Sequence, residues 1–343
     1  MTTIKDIARE CGVSANTVSS VLNNKPGEVS ADTSARVLEA MHRLGYRPNA
    51  AARRMVGKRM NTIGIADQYT DGPLSDPYKT QILEPIIHTA RANRWDILYY
   101  SGHPNSEQAG AFPSFLDGRS DGLICFTGSI AGDEVHAILR TNLPVVLIGE
   151  TQGDPTEVSP AIIDVDNELG AYLGVTHLVG LGHKKIAMIQ GVGISGNLNR
   201  VAGYRRALSE GGIVDSDLLL YETGVWEQAA YDHAVTILSQ SITMRPTAIF
   251  CFNDLIAFGV LRAARDMGIH CPNELSVVGF DDVFAAAATS PPLTTVRQPL
   301  AEIGQRAVHI LIGIIEGILP RDEREIVTPE LVVRGSTAPP PGY

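Results

Sequence analysis

The stretch that decides the organisation of this chain is Ser14-Ala15-Asn16-Thr17-Val18-Ser19-Ser20-Val21-Leu22-Asn23-Asn24. Its apolar residues Val18, Val21 and Leu22 recur on one face of a helix. The other face carries short polar side chains with little charge. These suit base edges, because Asn pairs with adenine and Ser or Thr can donate or accept. The stretch therefore predicts a DNA-reading helix.

Two further helices are predicted around this stretch. Thr3 with Asp6 matches a capping box before a helix that Gly12 ends, Ser14 can cap the second helix, and Ser30 can cap a third that Gly45 ends. The apolar residues that these two flanking helices carry are Ile4, Ile7, Ala8, Cys11, Val37, Leu38, Met41 and Leu44. Three short helices with a glycine turn between the first two make a helix-turn-helix.

The charge of the chain is unevenly distributed. Residues 1–60 carry ten Lys or Arg and five Asp or Glu, a net charge of +5. The total of 28 basic and 38 acidic residues leaves 18 and 33 for the remainder, a net charge of −15. A basic N-terminal segment (the head) on an acidic body is expected where the first segment binds the phosphates of nucleic acid. An alternative is that these basic residues form an ordinary solvated surface.

Composition indicates a chain without a metal site or a membrane span. At 343 residues and 44% hydrophobic, it can form two or three domains. Cys11, Cys125, Cys251 and Cys271 lie far apart without ligand spacing, so buried, reduced thiols are expected and neither zinc nor another cofactor is predicted. Since it opens without a secretory signal pattern and lacks a run of about 18 apolar residues, a cytoplasmic protein is expected.

After Asn61 the pattern changes to strands that alternate with helices, which predicts parallel sheets with crossover helices. The predicted strands are Thr62–Ala66, Asp96–Tyr100, Gly122–Phe126, Val145–Gly149, Ile162–Val165, Lys185–Gln190, Leu218–Tyr221, Ala248–Phe252, Ser276–Phe280 and Thr294–Val296. About 280 residues exceed one such sheet. His183, in the turn before one strand, is interpreted as structural.

Several motifs in the head resemble the lactose-repressor (LacI/GalR) family of bacterial transcription regulators. They are Thr3-Ile4-Lys5-Asp6-Ile7-Ala8, Gly12-Val13-Ser14, Thr17-Val18-Ser19, Val21-Leu22-Asn23 and Leu44-Gly45-Tyr46-Arg47-Pro48-Asn49. The resemblance implies that Ala15, Asn16 and Ser20 occupy base-reading positions. Ser20 departs from the Arg common there, so the usual contact of Arg with guanine is not expected.

Residues 48–60 are predicted to form a hinge helix and linker. Pro48 stands near the start of a helix too short to be stable unless it is docked. By the resemblance, Met55 takes the place of the Leu that the family inserts into the minor groove, although an ordinary linker is an alternative. The full set of predicted DNA-binding residues is Thr3, Ser14, Ala15, Asn16, Thr17, Ser19, Ser20, Asn23, Asn24, Asn49, Ala52, Arg53 and Met55.

The body resembles the same family along its whole length. Its matches include Ser120-Asp121-Gly122-Leu123, Leu181-Gly182-His183-Lys184-Lys185-Ile186, Asn253-Asp254 and Val277-Val278-Gly279-Phe280-Asp281-Asp282. The resemblance implies an α/β body like a periplasmic binding protein, with two doubly wound parallel-sheet subdomains, several crossing segments and a ligand cleft. It assigns effector contacts to Arg200, Asn253 and Asp281.

These three side chains suit a hydroxyl-rich effector. Arg200 offers a fork of donors, Asp281 a bidentate acceptor and Asn253 both functions. Tyr78 and Trp226 can add ring faces for a sugar, although each is equally compatible with core packing. Asp281 is alternatively a helix cap. A sugar or related polyol is the first expectation for the effector, and a nucleoside is the second.

Two other classes of protein share part of this sequence pattern. Gly191-Val192-Gly193-Ile194-Ser195-Gly196 follows a predicted strand and matches the dinucleotide pattern at Gly191, Gly193 and Gly196. A dinucleotide site also needs an acidic residue about 20 residues further on to bind the ribose, and this requirement is poorly met. A nicotinamide-dependent enzyme is therefore disfavoured, and no catalytic residues are assigned. A sugar-binding transport protein shares the body but has no use for residues 1–60.

The sequence therefore predicts a helix-turn-helix domain at 1–47, a hinge at 48–60 and an effector-binding and dimerisation domain at 61–343. We expect a non-enzymatic transcription regulator, a repressor, that binds a pseudopalindromic DNA operator as a homodimer. A small molecule in the cleft is expected to switch its affinity.

Overall fold

The computed structural model describes residues 2–22, 27–47, 59–67, 76–100, 114–127, 138–149, 159–191, 197–213 and 219–342. The chain divides into two compact units, Met1–Met60 and Asn61–Tyr343. The predicted site residues outside the described residues are Asn23, Asn24, Asn49, Ala52, Arg53, Met55, Gly193 and Gly196.

The described residues of the first unit form three helices, α1 (Ile4–Cys11), α2 (Ala15–Leu22) and α3 (Ala31–Arg43). The capping box of α1 is present, with Thr3 and Asp6 bonded to each other in both directions. Gly12 ends α1 at φ 63°, a left-handed conformation that favours glycine. Ser30 caps α3 by accepting from the backbone N–H of Thr33. These local signals confirm the predicted helix boundaries.

A small core holds the three helices together, and it differs from the prediction at two positions. The buried residues are Ile7, Ala8, Val18, Val37 and Ala40. Leu38 and Leu44 are instead 54% and 37% exposed. The side of α3 that packs on the other two helices carries Val37 and Ala40, with Met41 packed against the same core.

The second unit contains two six-stranded sheets. The first has the order β11-β5-β4-β3-β1-β2 and the second β12-β10-β9-β8-β6-β7. The strands are β1 (Thr62–Ala66), β2 (Asp96–Tyr100), β3 (Gly122–Phe126), β4 (Val145–Ile148), β5 (Ala161–Val165), β6 (Ile186–Gly191), β7 (Leu219–Thr223), β8 (Ala248–Cys251), β9 (Ser276–Asp281), β10 (Thr294–Arg297), β11 (Arg324–Val327) and β12 (Glu330–Val332). The ten predicted strands are thus present, to within a residue or two at their ends.

Two edge strands were not predicted. β11 lies beside β5 in parallel, and β12 pairs with β10 in the one antiparallel ladder among the described strands. Both strands are short and largely half-buried or exposed. The signal of a buried apolar run, which identified the central strands, is therefore missing from them.

Helices cover the two sheets. They are α4 (Pro77–Ala92), α5 (Asn167–Gly180), α6 (Asn197–Glu210), α7 (Glu227–Leu238), α8 (Asp254–Asp266) and α9 (Leu300–Glu316). The helix pair α5 and α6 approaches closely at Gly203, where an added Cβ would lie 2.1 Å from the carbonyl oxygen of Glu168. This approach fixes α6, which carries Arg200, against α5.

By the order of the described strands, the chain crosses between the sheets three times, after β5, after β10 and after β11. The first crossing leads into α5 and the second into α9, whereas the third is a short connection between the two edge strands. Residues at the start of α5 and just before α9 therefore lie at the junction of the subdomains. Asn167 and Gln298 occupy these two places.

His183 has the structural role that was predicted. Its side chain is 1% exposed and bonds Thr247 Oγ1 through Nδ1 at 2.9 Å, and Ser276 Oγ and the Ala338 carbonyl through Nε2. Burial lowers the pKa of His183. The ring thus ties the C-terminal segment to the second sheet.

The four cysteines are free thiols, Cys125 and Cys251 buried and Cys11 and Cys271 half-buried. Within the described ranges, every helix is too short or too polar to cross a membrane. The same ranges hold no group of three or more His, Cys, Asp or Glu arranged to bind a metal.

Candidate functional site

The exposed side of α2 is the candidate DNA-binding surface. Ser14, Ala15 and Asn16 are exposed, whereas Thr17, Ser19 and Ser20 are half-buried. Ser14 Oγ accepts from the Thr17 backbone N–H at 3.0 Å and lies 2.9 Å from Thr17 Oγ1, so these two hydroxyls order the start of the helix. Thr3, predicted to contact DNA, is the exposed cap of α1.

A cavity lies where the carboxyl ends of the two sheets face each other, the edge at which open α/β sheets bind ligands. Its empty volume is about 970 Å³, part of it open to solvent. All five predicted effector-binding residues line it, namely Tyr78, Arg200, Trp226, Asn253 and Asp281. Residues that are more than 200 positions apart in the chain thus meet at one cavity.

Arg200 is held rigidly on one wall. Its guanidinium carbon lies 4.1 Å from the ring centre of Phe252 and 3.6 Å from that of Phe280, within cation–π range. Nε donates to Asn167 Oδ1 at 2.8 Å, and Nη1 donates to the carbonyl of Phe252. Burial lowers the pKa of Arg200, although Asp281 and Asp164 oppose this effect. Because the guanidinium stays protonated in proteins, Arg200 brings a positive charge to the cavity that it lines.

Asp281 ends β9 and faces the same cavity. Its φ of 117° is in the range that L side chains rarely adopt, so the surrounding structure holds it there. Oδ1 accepts from Gln298 Nε2 at 2.7 Å. Burial raises the pKa of Asp281 well above its ordinary value, whereas the charge of Arg200 acts in the opposite direction. Asp281 is not a helix cap, because the next helical turn, Phe284–Ala288, begins after Val283.

Asn253 combines a structural and an exposed polar function. Its Oδ1 accepts from the backbone N–H of Ile256 at 2.8 Å and caps α8. Its Nδ2 lies 3.5 Å from the carbonyl oxygen of Val225, at the limit of a hydrogen bond. The amide is therefore oriented by the helix, and the residue lines the cavity.

The two aromatic residues approach the cavity from opposite subdomains. Tyr78 follows Asp76 and Pro77 at the start of α4, and Trp226 precedes the first turn of α7. Burial and the nearby charges of Asp164 and Asp281 raise the pKa of Tyr78, so its phenol stays protonated. Both residues line the cavity, and Tyr78 also packs against the core of the body.

Six polar residues that line the cavity were not predicted as effector contacts, namely Asp76, Lys79, Thr127, Asp164, Asn167 and Gln298. Asn167 connects Arg200 to Asp164, because its Nδ2 donates to Asp164 Oδ2 at 3.1 Å. Gln298 holds Asp281. Asp76 lines the cavity beside Tyr78. A polar residue within two positions of a strand end was the available signal for Asn167 and Gln298, but such residues are common in loops.

A buried ion pair lies beside these groups. Lys79 Nζ donates to both carboxylate oxygens of Asp67, at 3.0 and 3.2 Å, and Tyr99 donates its hydroxyl to Oδ2 at 2.8 Å. Asp67 is fully buried and Lys79 is 9% exposed. The positive charge that Lys79 brings to the cavity wall is therefore matched by Asp67.

The comparisons with known proteins agree over both units. Residues 3–49 match the family of bacterial regulatory proteins, lacI family, and residues 175–337 match a periplasmic binding protein-like domain. The chain is 33% identical to the HTH-type transcriptional regulator DegA of Bacillus subtilis, over 98% of each chain. It is also 33% identical to the HTH-type transcriptional repressor PurR of Erwinia tasmaniensis, over 99% of this chain and 98% of the relative.

Solved structures show the same likeness. The Lac repressor dimer bound to operator and the anti-inducer ONPF matches 98% of this chain and 99% of its own, with a TM-score of 0.82 and 28% identity. A complex of the transcriptional regulator CelR with cellobiose matches 98% of this chain and all of its own, with a TM-score of 0.73 and 26% identity.

These relatives are transcription regulators and not enzymes, which agrees with the prediction that the chain is not a nicotinamide-dependent enzyme. Of the glycine motif that raised that alternative, Gly191 ends β6 and residues 192–196 lie outside the described part of the chain. The chain belongs to the lacI family of bacterial regulatory proteins and is a ligand-responsive transcription regulator.

Proposed function

We propose that this regulator binds a pseudopalindromic operator as a homodimer, and that a sugar or related polyol in the cleft switches its affinity for DNA. The observation that carries the proposal is the convergence of Arg200, Asn253 and Asp281 on one cavity between the two subdomains. Each of these side chains is held by other protein groups, so little ordering is needed when a ligand binds.

The chemistry of the cavity favours a hydroxyl-rich molecule. A sugar hydroxyl both donates and accepts, and the cavity offers a carboxylate acceptor at Asp281 and N–H donors at Arg200 and Asn253. The rings of Tyr78 and Trp226 offer apolar faces for the C–H surface of a sugar. The cellobiose complex of the similar regulator supports a carbohydrate. A nucleoside, whose base would stack on the same rings, is the second candidate.

The charges of the cavity argue against an anionic effector. Three carboxylates line it, from Asp76, Asp164 and Asp281, together with the cations of Arg200 and Lys79. Because Lys79 is bonded to Asp67, its charge is already neutralised. A phosphorylated sugar would therefore rely on Arg200 alone among the described lining residues, and its phosphate would be buried beside three carboxyl groups in a poorly solvated site.

The crossing segments offer a path from ligand to DNA. Asn167 and Gln298 lie at two of the crossings and bond directly to Arg200 and Asp281. A ligand that forms hydrogen bonds with Arg200 and Asp281 displaces Asn167 and Gln298 and so changes the angle between the subdomains. By the proposal, the angle sets the spacing of two hinge helices at 48–60 of the dimer, with Met55 as the minor-groove wedge, so ligand and operator affinities are linked reciprocally.

A thermal-shift screen tests the effector class. Neutral sugars and polyols, the matching sugar phosphates and nucleosides are each added to the full-length protein. A neutral sugar should raise the melting temperature, and its phosphate should not. Arg200→Lys and Asp281→Asn should remove the shift, while Arg205→Ala, an exposed change on the same helix, should keep it. A shift that survives both cavity variants would place the ligand elsewhere.

Operator binding and dimerisation have their own tests. Selection from random duplexes should enrich a palindromic site, to which the Met55→Ala variant binds more weakly in gel-shift titrations while its thermal shift with the effector is retained. Analytical ultracentrifugation should give a dimer at micromolar concentration. A monomer, or enrichment of a single half-site alone, would contradict the proposal that a homodimer binds the operator.

A further inference from the structure

A hydrogen bond on the DNA-reading side of the first unit involves a carboxylate. Ser20 on α2 donates its hydroxyl proton to Glu28 Oε2, with 2.6 Å between the two oxygens. Glu28 is exposed and lies between α2 and α3 in the chain. Serines within helices commonly donate to the carbonyl four residues earlier, which here belongs to Asn16. The proton of Ser20 is instead directed to Glu28.

The geometry of α2 places Ser20 on its outward side. Val18 is buried in the core of the head, and Val21 and Leu22 pack against that core. Because successive residues in a helix are rotated by about 100°, Asn16 and Ser20 project from the side opposite these three residues. The second helix of a helix-turn-helix presents its outward side to the major groove. This step rests on the proposed binding of an operator through α2.

The hydroxyl of Ser20 has one proton and two lone pairs. While the proton is held by a carboxylate, which can only accept, the hydroxyl can offer bases only its lone pairs. In the major groove adenine N6 and cytosine N4 are donors, whereas guanine presents N7 and O6 and thymine presents O4, all acceptors. We propose that Glu28 is a positioning residue for operator specificity, which orients Ser20 as an acceptor and directs α2 to adenine or cytosine at the base that Ser20 faces.

The charge of Glu28 acts in the same direction as the hydrogen bond. A carboxylate close to the groove accepts from amino groups and repels the acceptor edge of guanine. The direct effect of this charge and the effect through Ser20 must therefore be separated. A double-mutant cycle achieves this, because the indirect effect disappears when the hydroxyl is removed.

The test uses the full-length protein in selections from random duplexes, followed by sequencing. Wild type should enrich adenine or cytosine over guanine about threefold to tenfold at one position of each half-site, as expected for one hydrogen bond. Glu28→Ala should bring guanine close to parity. In the Ser20→Ala background, the same Glu28→Ala change should have a clearly smaller effect on the base at that position, because only the direct effect of the charge is left. Glu39→Gln, an exposed change on α3, should leave the wild-type preference intact.

Two results would overturn the inference while leaving operator binding in place. One is a wild-type palindrome that carries guanine at the base that Ser20 faces. The other is a Glu28→Ala variant whose enriched bases are identical to those of wild type. An effect of Glu28→Ala that is equally large without the Ser20 hydroxyl would show direct action by the charge and refute positioning through Ser20. If no variant enriched a palindrome, the proposed operator binding would itself fail.

Discussion

The replacement Asp254→Asn tests how burial of the Asp254 carboxylate affects the free energy of unfolding. Asp254 is fully buried at the start of α8, where Oδ1 accepts from Thr295 Oγ1 at 2.6 Å and Oδ2 from the Val283 backbone N–H at 2.9 Å. Desolvation raises its pKa to about 7. An Asn can keep both contacts, because its oxygen accepts from Val283 and its amide donates to the Thr295 hydroxyl.

The sign and size of the effect follow from linkage. The folded pKa lies above the ordinary value of 3.8, so the folded protein holds this proton more tightly than the unfolded chain. The stabilisation is complete below about pH 4 and is lost as the pH rises through about 7. At about 1.4 kcal/mol for each pKa unit, the total is about 4 kcal/mol, of which about 3 kcal/mol falls between about pH 5 and pH 8. Asn has no such dependence.

Urea unfolding followed by tryptophan fluorescence provides the assay. Trp95 and Trp226 both lie in the second unit, so the signal reports on the unit that contains Asp254. The stability of Asp254→Asn relative to wild type should rise by about 3 kcal/mol from about pH 5 to pH 8. Asp281, whose pKa is raised by burial and also by the charge of Asp254, is present in both proteins, and the loss of that charge in the variant acts in the same direction. Asp232→Asn, an exposed change on α7, should show no such rise.

The reasoning would be refuted by a difference between Asp254→Asn and wild type that stays constant with pH. It would also be refuted if wild type gained stability relative to the variant as the pH rises, because the carboxylate would then be favoured by its surroundings. Either result would mean that the hydrogen bonds from Thr295 and Val283 outweigh the desolvation of the charge.

Three other changes have defined outcomes. Arg200→Lys should weaken effector binding by about tenfold or more in calorimetry, since an ammonium cannot replace a planar fork between two rings; unchanged affinity would remove Arg200 from the ligand contacts. His183→Ala should lower the free energy of unfolding by about 2–4 kcal/mol in urea titrations, because buried partners lose their bonds; a loss below about 0.5 kcal/mol would contradict its anchoring role. Lys79→Met should lower the free energy of unfolding by about 3–5 kcal/mol, because Asp67 is left charged and buried, and adding Asp67→Leu should restore part of that free energy. No restoration would show that the loss arises from packing.

Most secondary structure could be predicted because its signals are local. The run Gly122–Phe126 is apolar throughout and is fully buried as β3. Capping residues and glycines mark the ends of α1 and α3 in the chain itself. The failures have a common cause. β11 and the exposed Leu38 are decided by neighbours that are distant in sequence, and no local pattern records which face those neighbours cover.

The candidate site divides in a similar way. The resemblance identified Arg200, Asn253 and Asp281 as effector residues, and the tertiary structure brings all three to one cavity. It did not identify Asn167 and Gln298, which matter because two chain crossings place them against Arg200 and Asp281.

The sequence by itself determined a helix-turn-helix head, an α/β body of alternating strands and helices, and the polar residues that end the strands. These depend on periodicity, caps and motifs within short stretches of chain. Only the tertiary structure decided which polar groups share a cavity, how burial shifts the pKa of Asp254 and Asp281, and that Ser20 donates to Glu28. Desolvation and hydrogen-bond direction depend on atoms a few ångströms apart in space, whatever their separation along the chain.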